Sequence, residues 1–108
     1  MSEANTLTTR KLSVDGNYKC FSDFYSENKE VIYKNLITLF RNFKKKDKLK
    51  VTLNLNAKIN GLEWGTELSF TRNDFHILKR DIMPYFEEIE DYETCAKICN
   101  LYDTLILI

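Results

Sequence analysis

The chain has 108 residues, of which 44% are hydrophobic and 30% charged, and its formal net charge is zero. That length holds one domain with one core, and the apolar content excludes disorder as the default state of its body. The longest apolar run is the four residues from Leu105 to Ile108, far short of the ~20 that span a bilayer, and no basic and apolar blocks open the chain as in a secretion signal, so a cytoplasmic protein without a membrane partner is expected.

The neutral total conceals a division. Residues 1–58 carry 12 Lys/Arg and 6 Asp/Glu, and residues 59–108 carry 4 and 10, so the halves are +6 and −6. A bipolar chain can draw its own halves together, steer a charged partner or stack on copies of itself. Three cysteines, Cys20, Cys95 and Cys99, form no regular framework and read as free thiols.

In chain order, residues 1–9 are small and polar without periodicity and read as a flexible N-terminal arm before a single α+β domain over residues 10–108. Lys11-Leu12-Ser13-Val14 and Tyr18-Lys19-Cys20-Phe21 flank Asp15-Gly16-Asn17, which predicts a short hairpin over 10–21 with a three-residue turn. A helix is then predicted from Ser22 or Ser26, either hydroxyl serving as cap, to Lys44-Lys45-Lys46 at its negative end. Its core stripe is Ile32, Leu36, Leu39, Phe40 and Phe43.

From Leu49 to Ile59 every odd residue is apolar and every even one polar; past Asn60-Gly61 the parity inverts, with Leu62, Trp64, Leu68 and Phe70 apolar and Thr66 the exception. A two-residue type I′ turn demands that inversion. The register pairs Ile59 with Leu62, Ala57 with Trp64, Leu53 with Leu68 and Val51 with Phe70 on a hydrocarbon face, and Lys58 with Glu63 and Thr52 with Ser69 on a polar one.

A second helix is predicted from Thr71 or Asn73, with Asp74 at capping-box separation from Thr71 and a stripe of Phe75, Leu78, Ile82, Phe86 and Ile89. Pro84 interrupts it, which predicts a stop at Met83 and a restart with the proline in the new first turn. A last helix from Asp91 carries Tyr92, Cys95, Cys99, Tyr102 and Ile106 at helical spacing. The expected order is ββα-ββαα: a small antiparallel sheet of the central hairpin 49–71 and the shorter hairpin 10–21, covered on one face by helices.

The chemical signals are sparse. Cys95 and Cys99, one helical turn apart, have one other cysteine and one histidine as company, which is too few for a zinc set, so no metal is expected. His76 has no partner in a recognisable nucleophile motif, and no phosphate loop, dinucleotide fingerprint or H-E-x-x-H is present, so neither catalysis nor a cofactor is expected. Glu63 and Glu67 are scattered carboxylates on the polar sheet face. Two charge clusters remain. Lys44, Lys45, Lys46, Lys48 and Lys50, with Lys58, can grip phosphates or simply solvate a helix end and connection; Tyr25, Tyr33 and Tyr85 are the aromatics left over for stacking on bases. Glu87, Glu88, Glu90, Asp91 and Glu93 can mimic phosphates toward a basic partner or serve the N-terminus of a helix. The apolar end Leu105, Ile106, Leu107 and Ile108 either packs on the core or joins a second subunit as a homodimer contact. Together these predict a non-catalytic protein-protein interaction module, suited by analogy to a small regulator or inhibitor from a virus or mobile element acting on a larger host complex. A nucleic-acid-binding module built on the lysines is the alternative.

Overall fold

The alternation on either side of Asn60-Gly61 folds as the parity requires. Strands β2 (Lys50–Ile59) and β3 (Leu62–Thr71) pair antiparallel without a break from Ile59 with Leu62 to Lys50 with Thr71. Asn60 and Gly61 have φ of 54° and 80°, the two positive values of a type I′ turn. Val51, Leu53, Leu55 and Ala57 of β2 are buried.

The computed structural model describes residues 7–107. Ahead of the hairpin lie β1 (Leu7–Tyr18), α1 (Phe21–Glu27), α2 (Lys29–Phe40) and a 3-10 turn at Arg41–Lys44; after it come a 3-10 turn at Arg72–His76, a π-helical turn at Leu78–Ile82, α3 (Met83–Glu88) and α4 (Tyr92–Ile106). The chain is therefore mixed α+β, with a three-stranded sheet ordered β1-β2-β3. No helix among the described residues is long and apolar enough to cross a membrane.

The first hairpin does not exist. Residues 10–21 are not two strands: β1 is one strand, parallel to β2, so the sheet is mixed rather than antiparallel and the order is β-αα-ββ-αα. It begins at Leu7, inside the segment read as an arm; residues 1–6 lie outside the described residues. Asp15-Gly16-Asn17 forms a bulge instead of a turn. Val14, Asp15 and Gly16 stand opposite Ala57 alone, between the pairs Ser13 with Asn56 and Asn17 with Lys58. Gly16, at φ +126°, absorbs the extra length. Beyond it the strand is tied to the hairpin tip: the Asn17 side-chain oxygen accepts from the Gly61 N–H at 2.8 Å and the Tyr18 carbonyl accepts from the Asn60 N–H. Nine pairs with a strand already committed to the core outcompete a four-pair hairpin with no other anchor.

The first predicted helix is two. Neither Ser22 nor Ser26 caps it; Asn28 breaks it, its side-chain amide donating to the Phe24 carbonyl at 2.8 Å and to the Tyr18 hydroxyl at 3.1 Å. The expected stripe Ile32, Leu36, Leu39, Phe40 and Phe43 is buried throughout. A new α-helix does begin at Met83 with Pro84 in its first turn, as expected, but without a gap: the wider turn ahead of it, in which the Met83 N–H donates to the Leu78 carbonyl, runs directly into α3. In α4 the expected stripe is rotated: Thr94, Ile98, Leu101 and Leu105 are the buried positions, while Tyr92 and Ile106 are exposed and Cys95, Cys99 and Tyr102 flank the core. A threonine on the buried face disguised its phase.

Gly16 gives a direct check on the corrected strand. A Cβ there would lie 3.2 Å from the Tyr18 hydroxyl, at a backbone angle that L residues avoid. Gly16→Ala is expected to destabilise the fold by about 1–2 kcal/mol in urea denaturation; an unchanged midpoint contradicts the bulge.

Candidate functional site

Helices α1 and α2 pack mainly on β1 and β2. The inward side chains of β3, Trp64, Thr66, Leu68 and Phe70, are consequently only half-buried, where their β2 neighbours are sealed. Across from them the π-helical turn passes with Arg80, Asp81 and Ile82, preceded by Ile77. The space between is an apolar cleft of about 580 Å³. Its sheet side is Leu55, Leu68 and Phe70, its helical side Phe21, Tyr25, Ile32, Tyr33 and Leu36, and Arg80 and Asp81 stand with the isoleucines on the remaining wall.

Aromatic contacts make the helical wall continuous. Phe21 lies 5.0 Å from Trp64 and stacks on Tyr25 at 6.1 Å; Tyr25 meets Tyr33 edge-on at 6.2 Å, and Tyr33 meets Tyr85 at 5.7 Å. The hydroxyls of Tyr25 and Tyr33 share a hydrogen bond of 2.7 Å. Burial, and then the bond to Tyr25, pushes the Tyr33 phenol well above its ordinary range, so it is a neutral hydrogen-bonding group at physiological pH. Arg80 grips the neighbouring Asp81 carboxylate through Nε at 3.1 Å and Nη2 at 2.8 Å, and both are exposed. The cleft is thus apolar inside, with the hydrogen-bonded hydroxyls of Tyr25 and Tyr33 on one wall and the Arg80–Asp81 ion pair on another. A second depression, of about 480 Å³, follows the Gly16 bulge on the opposite face and is lined by Ser13, Asp15, Asn17, Lys58 and Glu63 among others. It lacks the apolar floor.

Two members of the acidic cluster have structural partners. Asp91 caps α4, accepting from the Thr94 N–H at 3.1 Å and hydroxyl at 2.8 Å. Glu93 reaches Lys97 one turn on at 3.7 Å. Glu87 and Glu88 end α3 and Glu90 takes a left-handed φ of 61° in the connection. The lysines separate into two places. Lys44, Lys45, Lys46, Lys48 and Lys50 surround the entry to β2, whose loop is held by the Arg72 guanidinium donating to the carbonyls of Phe43, Lys45 and Lys48. Lys58 lies eight residues along the strand from Lys50, roughly 26 Å away, beside the hairpin tip. Of the three tyrosines left for stacking on bases, Tyr33 is buried and Tyr25 and Tyr85 are half-buried in the aromatic wall.

At the C-terminal end Leu105 is buried, Ile106 and Leu107 are exposed, and Ile108 lies outside the described residues. His76 is exposed with its ring 4.3 Å from Phe75. Cys99 Sγ lies 3.6 Å from Met83 Sδ, and burial pushes the Cys95 thiol up, with Glu87 and Asp91 adding to the effect. Cys20 is exposed. Among the described residues no three His, Cys, Asp or Glu side chains converge as a metal set.

The cleft itself escaped the sequence. Phe21 falls in a predicted strand, and Ile77 and Arg80 lie off the predicted stripe, whose Leu78, Ile82 and Phe86 are buried as expected. Ile77, apolar but out of phase, was the one available sign. Comparison with protein-family models, curated proteins and solved structures finds no match to this chain.

The cap of α4 titrates. Hydrogen bonds from Thr94 hold the Asp91 carboxyl below the usual aspartate range in the folded chain. Its stabilisation is therefore complete above the unfolded value, about pH 4, and is lost as pH falls through the lower folded value. Asp91→Ala is expected to lower the melting temperature at pH 7, with the gap to the unmodified protein closing below pH 4 in thermal circular dichroism.

Proposed function

We propose that this chain is a non-catalytic protein-protein interaction module and that the cleft between α2 and β3 is where it holds an apolar part of its partner. The observation that carries this reading is the composition of the cleft: aromatic and aliphatic walls with the part-buried, hydrogen-bonded hydroxyls of Tyr25 and Tyr33 and the exposed Arg80 at hand. Tyrosine, tryptophan and arginine around a desolvated pocket are the mark of interface hot spots, and 580 Å³ admits a cluster of side chains. A small regulator or inhibitor encoded by a virus or mobile element, acting on a larger host complex, is the setting that suits such a domain.

Photo-crosslinking tests it. A photoreactive residue at position 80, in cells of the native source, is expected to trap a discrete protein that the same probe at position 11, on the opposite sheet face, does not. Ile77→Asp is expected to reduce that capture at least tenfold, the loss of one hot-spot contact. Equal trapping from both faces, or indifference to Ile77→Asp, removes the cleft from the function.

One observation favours a second reading, a nucleic-acid-binding module: Lys44, Lys45 and Lys46 are exposed side by side, and none is in an ion pair among the described residues. The four exposed lysines at that end, Lys44, Lys45, Lys46 and Lys50, would give a salt slope of about −3 to −4 on duplex DNA. Filter binding from low to high salt reads it. Alanine at Lys44, Lys45 and Lys46 is expected to flatten the slope and Lys58→Ala to leave it; salt-independent binding removes this reading.

A further inference from the structure

The two edges of the sheet differ. The β1 edge is interrupted by the Gly16 bulge and carries Arg10, Lys11 and Lys19 along or beside it, features that discourage another strand from pairing. The β3 edge carries none of these: ten residues pair with β2 in unbroken register, and β3 contains no proline and no lysine. A type I′ turn makes Ile59 and Leu62 a hydrogen-bonded pair. Along the antiparallel ladder, the backbone groups of Leu62, Trp64, Thr66, Leu68 and Phe70 then face β2, while those of Glu63, Gly65, Glu67 and Ser69 face outward. Among the described residues no turn, loop or side chain bonds to these outward backbone groups, and all four residues are exposed.

The side chains sort by the same parity. Glu63 and Glu67 project to the polar face, are the only charges on β3, and form no ion pair among the described residues. Trp64, Leu68 and Phe70 project to the cleft side. A strand laid against this edge meets two carboxylates four residues apart on one face and an apolar groove on the other.

We infer that β3 accepts an extended segment of a partner protein as a fourth strand, with Lys or Arg at two positions four apart, opposite Glu63 and Glu67, and apolar residues at the alternate positions entering the cleft. This rests on the reading of the cleft as a protein-binding site and names the form its partner takes there. Charge complementarity decides the occupant: a second copy of β3 brings the same carboxylates and no cation. Main-chain bonds supply part of the affinity and alternate side chains the selectivity, as in other cases of strand addition.

The probe is the capped peptide Lys-Val-Thr-Ile-Lys-Val-Thr, with a peptide of the same composition in block order as control. Trp64, the one tryptophan, sits beside the edge and reports binding by fluorescence. The alternating peptide is expected to bind at least tenfold tighter than the control and to slow amide exchange at Gly65, Glu67 and Ser69 at least tenfold. Ser69→Pro removes an outward N–H, which an edge strand tolerates, and is expected to weaken binding at least tenfold with the circular dichroism unchanged; Ser69→Ala, which also loses the hydroxyl contact to Thr52, is expected to bind normally. Glu67→Lys is expected to weaken binding of this peptide at least tenfold and to regain it when one of the two peptide lysines, the one opposite position 67, is replaced by glutamate. Should Ser69→Pro fail to fold, Glu67→Lys and the exchange data decide alone. No binding, binding without slowed exchange at the edge, or a free protein that light scattering shows to be a dimer disrupted by Glu67→Lys overturns the inference. If position 80 still traps a partner in any of those cases, the cleft reading stands and only the added strand falls.

Discussion

Everything in this molecule is arranged around the apolar side of β2. Val51, Leu53, Leu55 and Ala57 are each at most 5% exposed, in a strand hydrogen-bonded on both sides. Burying a Val- or Leu-sized side chain contributes about 1.5–3 kcal/mol, and no other strand concentrates so much. The central position of β2 follows, since a strand with this much hydrocarbon on one face is most stable with neighbours on both edges and helices above. β1 and β3 need not match it in apolar content, and they do not: their inward residues Leu12, Val14, Leu68 and Phe70 are only partly buried.

That gradient of burial is what creates the cleft. α1 and α2 connect two parallel strands and so lie over those strands, while β3 is reached by a tight turn and brings no helix of its own across its inner face. The segment that returns toward it is distorted. Pro84 cannot donate a backbone bond, and the π turn ahead of it accommodates the loss by widening the helix. Such turns recur at functional sites because the extra residue re-aims side chains; here Arg80 and Asp81 are among those carried to the cleft wall. The geometry of the site is therefore a consequence of connectivity and of one proline rather than of any local motif.

The same logic explains what was legible in advance. The β2–β3 hairpin was readable to the residue because its register depends on parity and a two-residue turn, both local. The stripe of α2 was readable because five large apolar residues share one phase. β1 was misread because Asp15-Gly16-Asn17 satisfies a turn and a bulge equally, and only its pairing with β2, some forty residues away, decides between them. α4 was misread because apolar and half-apolar residues occupy two adjacent stripes, and Thr94 sits on the buried one. The cleft was not legible at all: Phe21, Tyr33, Leu68, Ile77 and Arg80 come from four separate segments, and nothing local announces their meeting.

The charge division is conspicuous in the sequence, and the structure leaves it standing. All three ion pairs among the described residues are internal to one half: Lys34 with Glu30 in the basic half, Arg80 with Asp81 and Lys97 with Glu93 in the acidic one. Each is an exposed pair of little energetic weight, and no ion pair among the described residues joins the two halves. The lysines at the entry to β2 and the carboxylates along β3 then face solvent as separate patches of opposite sign. On the protein-binding reading, such patches act before contact, orienting a partner during approach, and the apolar cleft acts after it, by excluding water. On the same reading, clusters of charge govern the rate and direction of encounter, and the apolar walls of the cleft, drawn from four separate segments, supply most of the contact that follows.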